Sequence, residues 1–172
     1  MNHNHVQNLT RSALVAAIYV VLTLGIAPIS YGPVQFRVAE ILNLLAFFNP
    51  IYIVAVSVGC FISNLFSPFG LYDVFFGTLH TALALILIWK SKNLVLASFW
   101  PAILSFIIAF ELNLVLNTPF LETWIYVGVS EIIITTLIAV PVFTILRQSG
   151  FLQRFIVAPK FNKEPKPAHR SI

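Results

Sequence analysis

Six apolar segments dominate this sequence and restrict the folds that it can adopt. The segments are long, continuous and not alternating, so they favour helices over strands. Breaks rich in Gly, Pro, Ser and Asn separate them, as expected between helices. A backbone in lipid must bond to itself, which a helix achieves within one segment. The sequence therefore predicts an all-α integral membrane protein, a bundle of about six transmembrane helices over residues 9–29, 34–48, 51–66, 72–89, 94–116 and 123–146.

The composition agrees with a lipid environment. Of the 172 residues, 59% are hydrophobic and 9% are charged, whereas soluble domains contain about 25% charged residues. Each span needs roughly 17–25 apolar residues, so six spans leave no room for a large soluble domain. We expect a membrane domain over residues 9–147, preceded by a short N-terminal segment, 1–8. A basic tail, 148–172, follows, and its Pro-rich and charged end is expected to be disordered.

Basic residues predict the orientation of the chain in the membrane. Arg11 lies near the start of the first segment, Lys90 and Lys92 lie between the fourth and fifth, and Arg147 follows the sixth. With six spans these positions share one side, and basic loops mark the cytoplasmic side. We therefore expect both termini to be cytoplasmic. Arg37 is the exception, because it lies just inside the second segment.

Charged side chains also occur in or at the ends of the apolar segments. Each costs about 2.5–3.5 kcal/mol to insert, so these groups must face the bundle interior, a cavity or one another. Arg37 and Glu40 share a helix face, which indicates either an ion pair that fixes the second helix or a functional role in which one of them contacts a ligand or orders the loop above it. The full set is Arg37, Glu40, Asp73, His80, Glu111 and Glu131.

Two of these residues have ordinary structural explanations. Asp73 begins the fourth segment, where a carboxylate interacts favourably with the helix dipole. His80 lies deeper in the same segment, and we expect a hydrogen-bonded structural histidine there. A lone histidine does not make a metal site, so no metal is predicted.

The fifth and sixth segments carry the best candidates for ligand contacts. Acids and amides with few counter-cations suit a ligand that is rich in N–H donors or positively charged. Aromatic side chains would stack on a flat ring. Taken singly, Trp124 is also typical of a membrane interface, and Glu131 of a partnered structural acid. The candidates are Glu111, Asn113, Asn117, Phe120, Trp124 and Glu131.

Small residues recur at four-residue spacing in the first and third segments. Ala13 and Ala17 form an A-x-x-x-A pattern, and Ala55, Gly59 and Ser63 repeat the spacing. Such stripes allow close helix approach, either inside the bundle or against a partner protein.

Three polar motifs carry a resemblance to a known family. They are YGPVQFRVAE at residues 31–40, NLFSPFGLYD at 64–73 with Gly77-Thr78, and Glu111-Leu-Asn113 with Pro119-Phe120 and Glu131. On these motifs the chain resembles the QueT family of substrate-binding (S) components of energy-coupling factor (ECF) transporters, over residues 9–146.

The resemblance implies a six-helix S component in a prokaryotic plasma membrane, which captures a queuosine precursor, a 7-deazaguanine base, from the outer side. It also implies a T component and two ATPase subunits as partners. They would hydrolyse the ATP, since this chain lacks a P-loop and is expected to hold no cofactor. S components dock the T component through an A-x-x-x-A patch, which matches Ala13 and Ala17.

The predicted roles follow from the resemblance and from the residue chemistry together. Arg37, Glu40 and Asp73 are predicted to support the site. The predicted substrate contacts are Glu131, Asn113, Asn117, Trp124, Phe120 and Glu111.

Two other functions remain open from the sequence. A stand-alone proton-coupled transporter of small solutes could use Asp73, Glu40 or Glu111 as a proton site, although the chain is small and lacks an inverted repeat. An intramembrane enzyme would need a nucleophile–base set, and none is recognisable. We therefore expect a transport protein and not an enzyme.

Overall fold

A computed structural model describes residues 3–32, 34–152 and 156 of the chain. Within these residues the backbone is helical or irregular, and its main helical segments group into six helices, with one further short helix, Ala27–Ser30, between the first two. They are α1 (His3–Gly25), α2 (Val38–Phe48), α3 (Ile51–Asn64), α4 (Asp73–Lys90), α5 (Leu94–Leu116) and α6 (Phe120–Gln148). Most of the predicted tail lies outside the described residues.

Four of these helices, α1, α4, α5 and α6, are long and apolar enough to cross a membrane, while α2 and α3 are shorter. The all-helical, membrane-embedded fold class is thus confirmed, and the number of spans stays a prediction. The helices match the six predicted segments except at their ends. Helix α2 begins at Val38, later than predicted, because residues 34–37 form an irregular connection.

Helix α2 opens with a 3₁₀ segment, Val38–Leu44. Side chains three residues apart eclipse one another in a 3₁₀ helix. Arg37, Glu40 and Asn43 therefore stack on one face more directly than in an α-helix. All three are buried, so this face is turned to the bundle interior.

The described basic residues other than Arg37 lie toward one end of the bundle, which we call the basic end. Lys92 and Arg147 line one cleft of about 330 Å³ there, together with Phe48. Lys90 ends α4 at the same level. The opposite, far end carries the connections that contain no Lys or Arg apart from Arg37, namely 26–37, 65–72 and 117–119.

Helix α1 packs along α3, and the two backbones approach closely at Gly59. A Cβ atom at Gly59 would lie 2.9 Å from the carbonyl oxygen of Ala16 and 2.9 Å from the Cβ atom of Tyr19. Ala55 and Ser63 on the same stripe are also buried. The small residues of α3 therefore serve packing inside the bundle.

Ala13 and Ala17 lie elsewhere on α1. Both are exposed, whereas Ala16 packs against Gly59. The A-x-x-x-A pair is thus available to a partner, and the interior contact uses the neighbouring alanine.

Replacing Gly59 with Ala should lower the stability of the protein by about 1–3 kcal/mol, because backbone atoms of α1 cannot move aside easily. Thermal unfolding in detergent measures the effect. Gly25→Ala is the matched control, since no atom lies within 4 Å of a Cβ atom at that position. Equal unfolding temperatures for the two variants would contradict the close α1–α3 contact.

Candidate substrate-binding site

Five charged side chains meet in the interior toward the far end of the bundle. Arg37, Glu40, Asp73, Glu111 and Glu131 are each at most 3% exposed. Glu131 interacts electrostatically with Glu40 and Arg37, and Glu111 interacts with Asp73 and Arg37. We call these five residues the charge cluster. Its members come from α2, α4, α5, α6 and the residue that precedes α2.

Glu40 is the best-bonded member of the charge cluster. The Tyr19 hydroxyl donates to Glu40 Oε1 at 2.7 Å, and the Thr81 hydroxyl donates to the same atom at 3.4 Å. Asn43 Nδ2 donates to Oε2. Arg37 Nη1 lies 3.8 Å from Oε1, which confirms the ion-pair interpretation of these two residues. Helices α1, α2 and α4 are thereby tied to one carboxylate.

Tyr31 and Val34, which lie between α1 and α2, are hydrogen-bonded to two other helices. The Tyr31 hydroxyl donates to the carbonyl oxygen of Ser63 on α3 at 2.7 Å. The Ser130 hydroxyl of α6 donates to the carbonyl oxygen of Val34 at 2.9 Å. The guanidinium carbon of Arg37 lies 5.7 Å from the centre of the Tyr31 ring, within the range of a cation–π contact.

Asp73 belongs to a polar turn between α3 and α4. Ser67 donates to Asp73 Oδ2, and Asn64 Nδ2 donates to the Asp73 carbonyl oxygen at 2.9 Å. Oδ1 has no hydrogen-bond partner in the described part of the chain. The carboxylate therefore bonds to the preceding turn and does not cap α4 through its own first-turn N–H groups.

Several buried polar atoms in this region have no hydrogen-bond partner among the described residues. Buried polar groups are nearly always bonded, so such atoms are places where a ligand would make contacts. Six of these atoms are acceptors and three are donors. The atoms are Arg37 Nε and Nη2, both Glu111 carboxylate oxygens, Glu131 Oε2, Asp73 Oδ1, Asn43 Oδ1, Asn64 Oδ1 and Gln35 Nε2.

Of the six predicted substrate contacts, the structure places Glu111 and Glu131 in the charge cluster. The two amides lie nearer the end of α5. Asn113 Nδ2 donates to the carbonyl oxygen of Thr118 at 2.7 Å. Asn117 is exposed and adopts a left-handed conformation with φ 55° that ends the helix. Both amides have local structural roles, and their part in binding stays a prediction.

The two predicted aromatic contacts lie on the outside of the bundle. Phe120 and Trp124 are 37% and 36% exposed, and their ring centres are 6.2 Å apart. Trp124 lines an apolar groove of about 390 Å³ between α5 and α6, together with Gly128. Neither ring faces the charge cluster in this structure, and their ligand contacts also stay predictions.

The structure adds polar residues that the sequence reasoning did not assign to the site. Gln35 is 4% exposed and has a positive φ of 33°, a conformation that costs energy outside glycine. Tyr19, Thr81 and Asn64 contact the charge cluster as described above. Gln35 and Asn64 lie within the polar motifs 31–40 and 64–73, so the sequence did indicate that these two residues could belong to a site. Nothing in the sequence singled out Tyr19 or Thr81, because a single polar residue in an apolar helix is common.

The prediction of a structural histidine is confirmed. His80 is 2% exposed, and its Nε2 atom lies 3.0 Å from the carbonyl oxygen of Pro101. This carbonyl accepts a bond from an N–H at Nε2, and the contact joins α4 to α5.

Two acids of the charge cluster adjoin stretches of π-helix. Asp73 begins the π segment Asp73–Gly77, and Glu131 directly precedes the π segment Ile132–Ala139. Such wide turns often occur at functional sites. They free backbone groups for other partners, and here the Thr135 hydroxyl donates to the carbonyl oxygens of Ser98 and Glu131, at 2.8 Å and 2.7 Å.

Comparison with known proteins assigns the family. A family model described as QueT transporter matches residues 9–148, which include every member of the charge cluster. The chain belongs to the QueT transporter family. QueT proteins are transporters and not enzymes, and the apolar helices of this chain make it a multi-pass membrane protein.

A curated relative extends this similarity. The chain is 42% identical over 141 residues to a protein of Lactococcus lactis subsp. cremoris (strain MG1363) named Queuosine precursor transporter QueT. The alignment covers 72% of this chain and 83% of the relative. No solved structure matches the chain.

Removing the Tyr19 hydroxyl should destabilise this QueT family member. Tyr19→Phe deletes one buried hydrogen bond to a carboxylate, a contact worth about 1.5–3 kcal/mol. Thermal unfolding in detergent measures the loss. Tyr126→Phe, at a residue that is 55% exposed, is the control and should change little. Equal unfolding temperatures for the two variants would show that the Tyr19–Glu40 hydrogen bond does not contribute to stability.

Proposed function

We propose that this chain is the substrate-binding S component of an ECF importer, and that its substrate is a queuosine precursor, a 7-deazaguanine base. The name of the Lactococcus lactis relative supports the substrate class. The exposed Ala13 and Ala17 pair on α1, which would allow a helix of another protein to dock closely, supports a partner-driven importer. A T component and two ATPase subunits would supply transport and ATP hydrolysis.

The observation that carries the proposal is the pairing of free donors and free acceptors around Arg37 and Glu131. Arg37 Nε and Nη2 are buried and have no hydrogen-bond partner among the described residues, and the same holds for Oε2 of Glu131. The two residues also interact electrostatically. A guanine-like edge offers a carbonyl acceptor beside adjacent N–H donors. Arg37 would donate to the carbonyl oxygen, and Glu131 would accept from the N–H groups.

This arrangement favours some of the predicted substrate contacts over others. The geometry supports Glu131 and Glu111 as substrate-binding residues and moves Arg37 from a supporting role to a direct one. Tyr31, whose ring already contacts Arg37, is the aromatic residue best placed to cover a bound ring.

The expected orientation places the far end outside the cell and both termini in the cytoplasm. The clustering of Lys92 and Arg147 at the basic end supports it. Lys92→Cys and Glu122→Cys should therefore react with an impermeant thiol reagent from opposite sides of the membrane. The unmodified chain is the blank, because its single cysteine, Cys60, is buried. Labelling of both variants from one side would reject this topology.

Glu131→Gln should weaken binding of a 7-deazaguanine ligand by roughly tenfold to a thousandfold, since one or two charge-assisted hydrogen bonds are lost. Calorimetry on the purified, folded protein measures the affinity. Glu122→Gln makes the same chemical change at an exposed residue of the same helix and should leave binding unchanged. An unaltered affinity in Glu131→Gln would move the acidic contact to Glu111.

Replacing Ala13 and Ala17 together with Leu should abolish uptake and retain ligand binding. Both alanines are exposed on α1, and close helix docking requires small side chains. Uptake of labelled ligand is measured in cells that co-express the T component and ATPases. Leu14→Ala/Ile18→Ala, at two exposed positions of the same helix, controls for altered exposed surface. A parallel loss of binding would show that the alanines are needed inside the protein.

A stand-alone proton-coupled transporter is the second candidate, because the buried carboxylates of Asp73 and Glu111 interact and could hold a proton between them. The same uptake assay separates the two functions. Uptake by the chain without its partners would favour the stand-alone transporter, and uptake that requires them would favour the S component.

A further inference from the structure

Two cavities on the outer surface of α5 join into one groove. The first, of about 390 Å³, is the apolar groove between α5 and α6 that Trp124 lines. The second, of about 420 Å³, lies at the basic end beside Lys90 and Lys92. Phe99 and Ile103 line both cavities. A continuous groove, which we call the α5 groove, therefore runs along α5 from the two lysines to Trp124.

The apolar part of the α5 groove follows from the close packing of α5 against α6. A Cβ atom at Gly128 would lie 3.3 Å from Ser105 Oγ and 3.6 Å from the carbonyl oxygen of Ala102. The helices thus meet through small residues, which form the floor of the groove. Larger apolar side chains on either side, among them Ile103 on α5 and Val129 on α6, are exposed and form its walls.

The basic end of the α5 groove carries positive charge on an ordered turn. Lys90 ends α4, and Lys92 lies in the turn that precedes α5. Trp100 Nε1 donates to Ser91 Oγ at 2.9 Å, which fixes this turn to the first part of α5. Neither lysine forms an ion pair with a described residue, and no described Asp or Glu lines either cavity. Both ammonium groups are therefore available to an external anion.

The length of the α5 groove matches one leaflet of a bilayer. From Leu96 to Phe106, α5 extends about 15 Å at 1.5 Å per residue, which is half of a hydrocarbon core about 30 Å thick. Phe106 packs against Trp124, with the ring centres 6.3 Å apart, at the end of the groove away from the lysines. The groove thus combines cations at one surface of the membrane with an apolar path across one leaflet.

We infer that the α5 groove binds an anionic phospholipid, with its phosphate beside Lys90 and Lys92 and one acyl chain between α5 and α6. Each ammonium group offers three N–H donors to phosphate oxygens. A zwitterionic lipid fits the apolar part equally well but gains less from the lysines, because its headgroup carries its own cation. A docked helix of a partner protein would fill the apolar part and leave the lysines uncompensated. The groove lies outside the charge cluster, so this inference is independent of the proposed substrate.

The test compares phosphatidylglycerol with phosphatidylcholine that carries the same acyl chains. Native mass spectrometry of the full chain in detergent, titrated with each lipid, gives both affinities. Phosphatidylglycerol should bind about tenfold to thirtyfold more tightly, as expected for attraction to two lysines. Equal binding of the two lipids by the unmodified chain would overturn the inference.

Lys90→Gln/Lys92→Gln should remove most of the preference for phosphatidylglycerol, and both lysines are exposed, so the fold should be retained. Arg11→Gln/Arg147→Gln is the matched control, because it removes two cations of the basic end that line other clefts. It should retain the preference. An equal loss in the two double variants would show a general attraction to the basic end and would contradict a specific site.

Val129→Trp tests the apolar part, because an indole ring there would occupy the space of the acyl chain. It should reduce the binding of both lipids to a similar extent. Val142→Trp, at another exposed valine of α6 that does not line the groove, should bind both lipids as the unmodified chain does. Unchanged lipid binding in Val129→Trp, together with loss of co-purifying partner subunits, would assign the groove to a partner helix and overturn the inference.

Discussion

The burial of the Arg37–Glu40 ion pair is the constraint on which the rest of the structure depends. The free-energy cost of desolvating a buried ion pair is offset only when further hydrogen bonds satisfy both partners. Glu40 meets this requirement with donors from Tyr19, Asn43 and Thr81. These donors belong to three helices, so the chain must bring α1, α2 and α4 together in one arrangement.

Arg37 meets the requirement only in part. It has Glu40 at 3.8 Å, the Tyr31 ring at 5.7 Å and the Cys60 sulfur at 3.8 Å. Two of its nitrogen atoms remain without partners among the described residues. Breaking a buried pair typically costs about 3–5 kcal/mol. Arg37 is thus a buried cation with two donors that no described residue satisfies, which is the arrangement expected of a binding residue.

How far the sequence predicted the structure depends on the range of the interactions concerned. The helices and the Arg37–Glu40 pair follow from local spacing, so they could be predicted. The interior position of Glu111 and Glu131 followed from the cost of charge in lipid. The sequence could not show whether Phe120 and Trp124 face the interior, because residues along one stripe of a helix can lie on either side of the boundary between its buried and exposed faces. Glu131 lies on the buried side of α6 and Trp124 on the outer side. The packing of α6 against α5 determines where that boundary runs.

The short helices explain why a polar site can exist at this depth. Helix α3 has 14 residues, about 21 Å at 1.5 Å per residue, which is shorter than the roughly 30 Å hydrocarbon core. Helix α2 is shorter still. The chain continues from the far ends of these helices, at Val38 and Asn64, into the connections to α1 and α4. These connections place Gln35 and Arg37 in the interior and let half-buried Ser67 donate to Asp73. The shortness of two helices is thus what converts an apolar bundle into one with a polar interior.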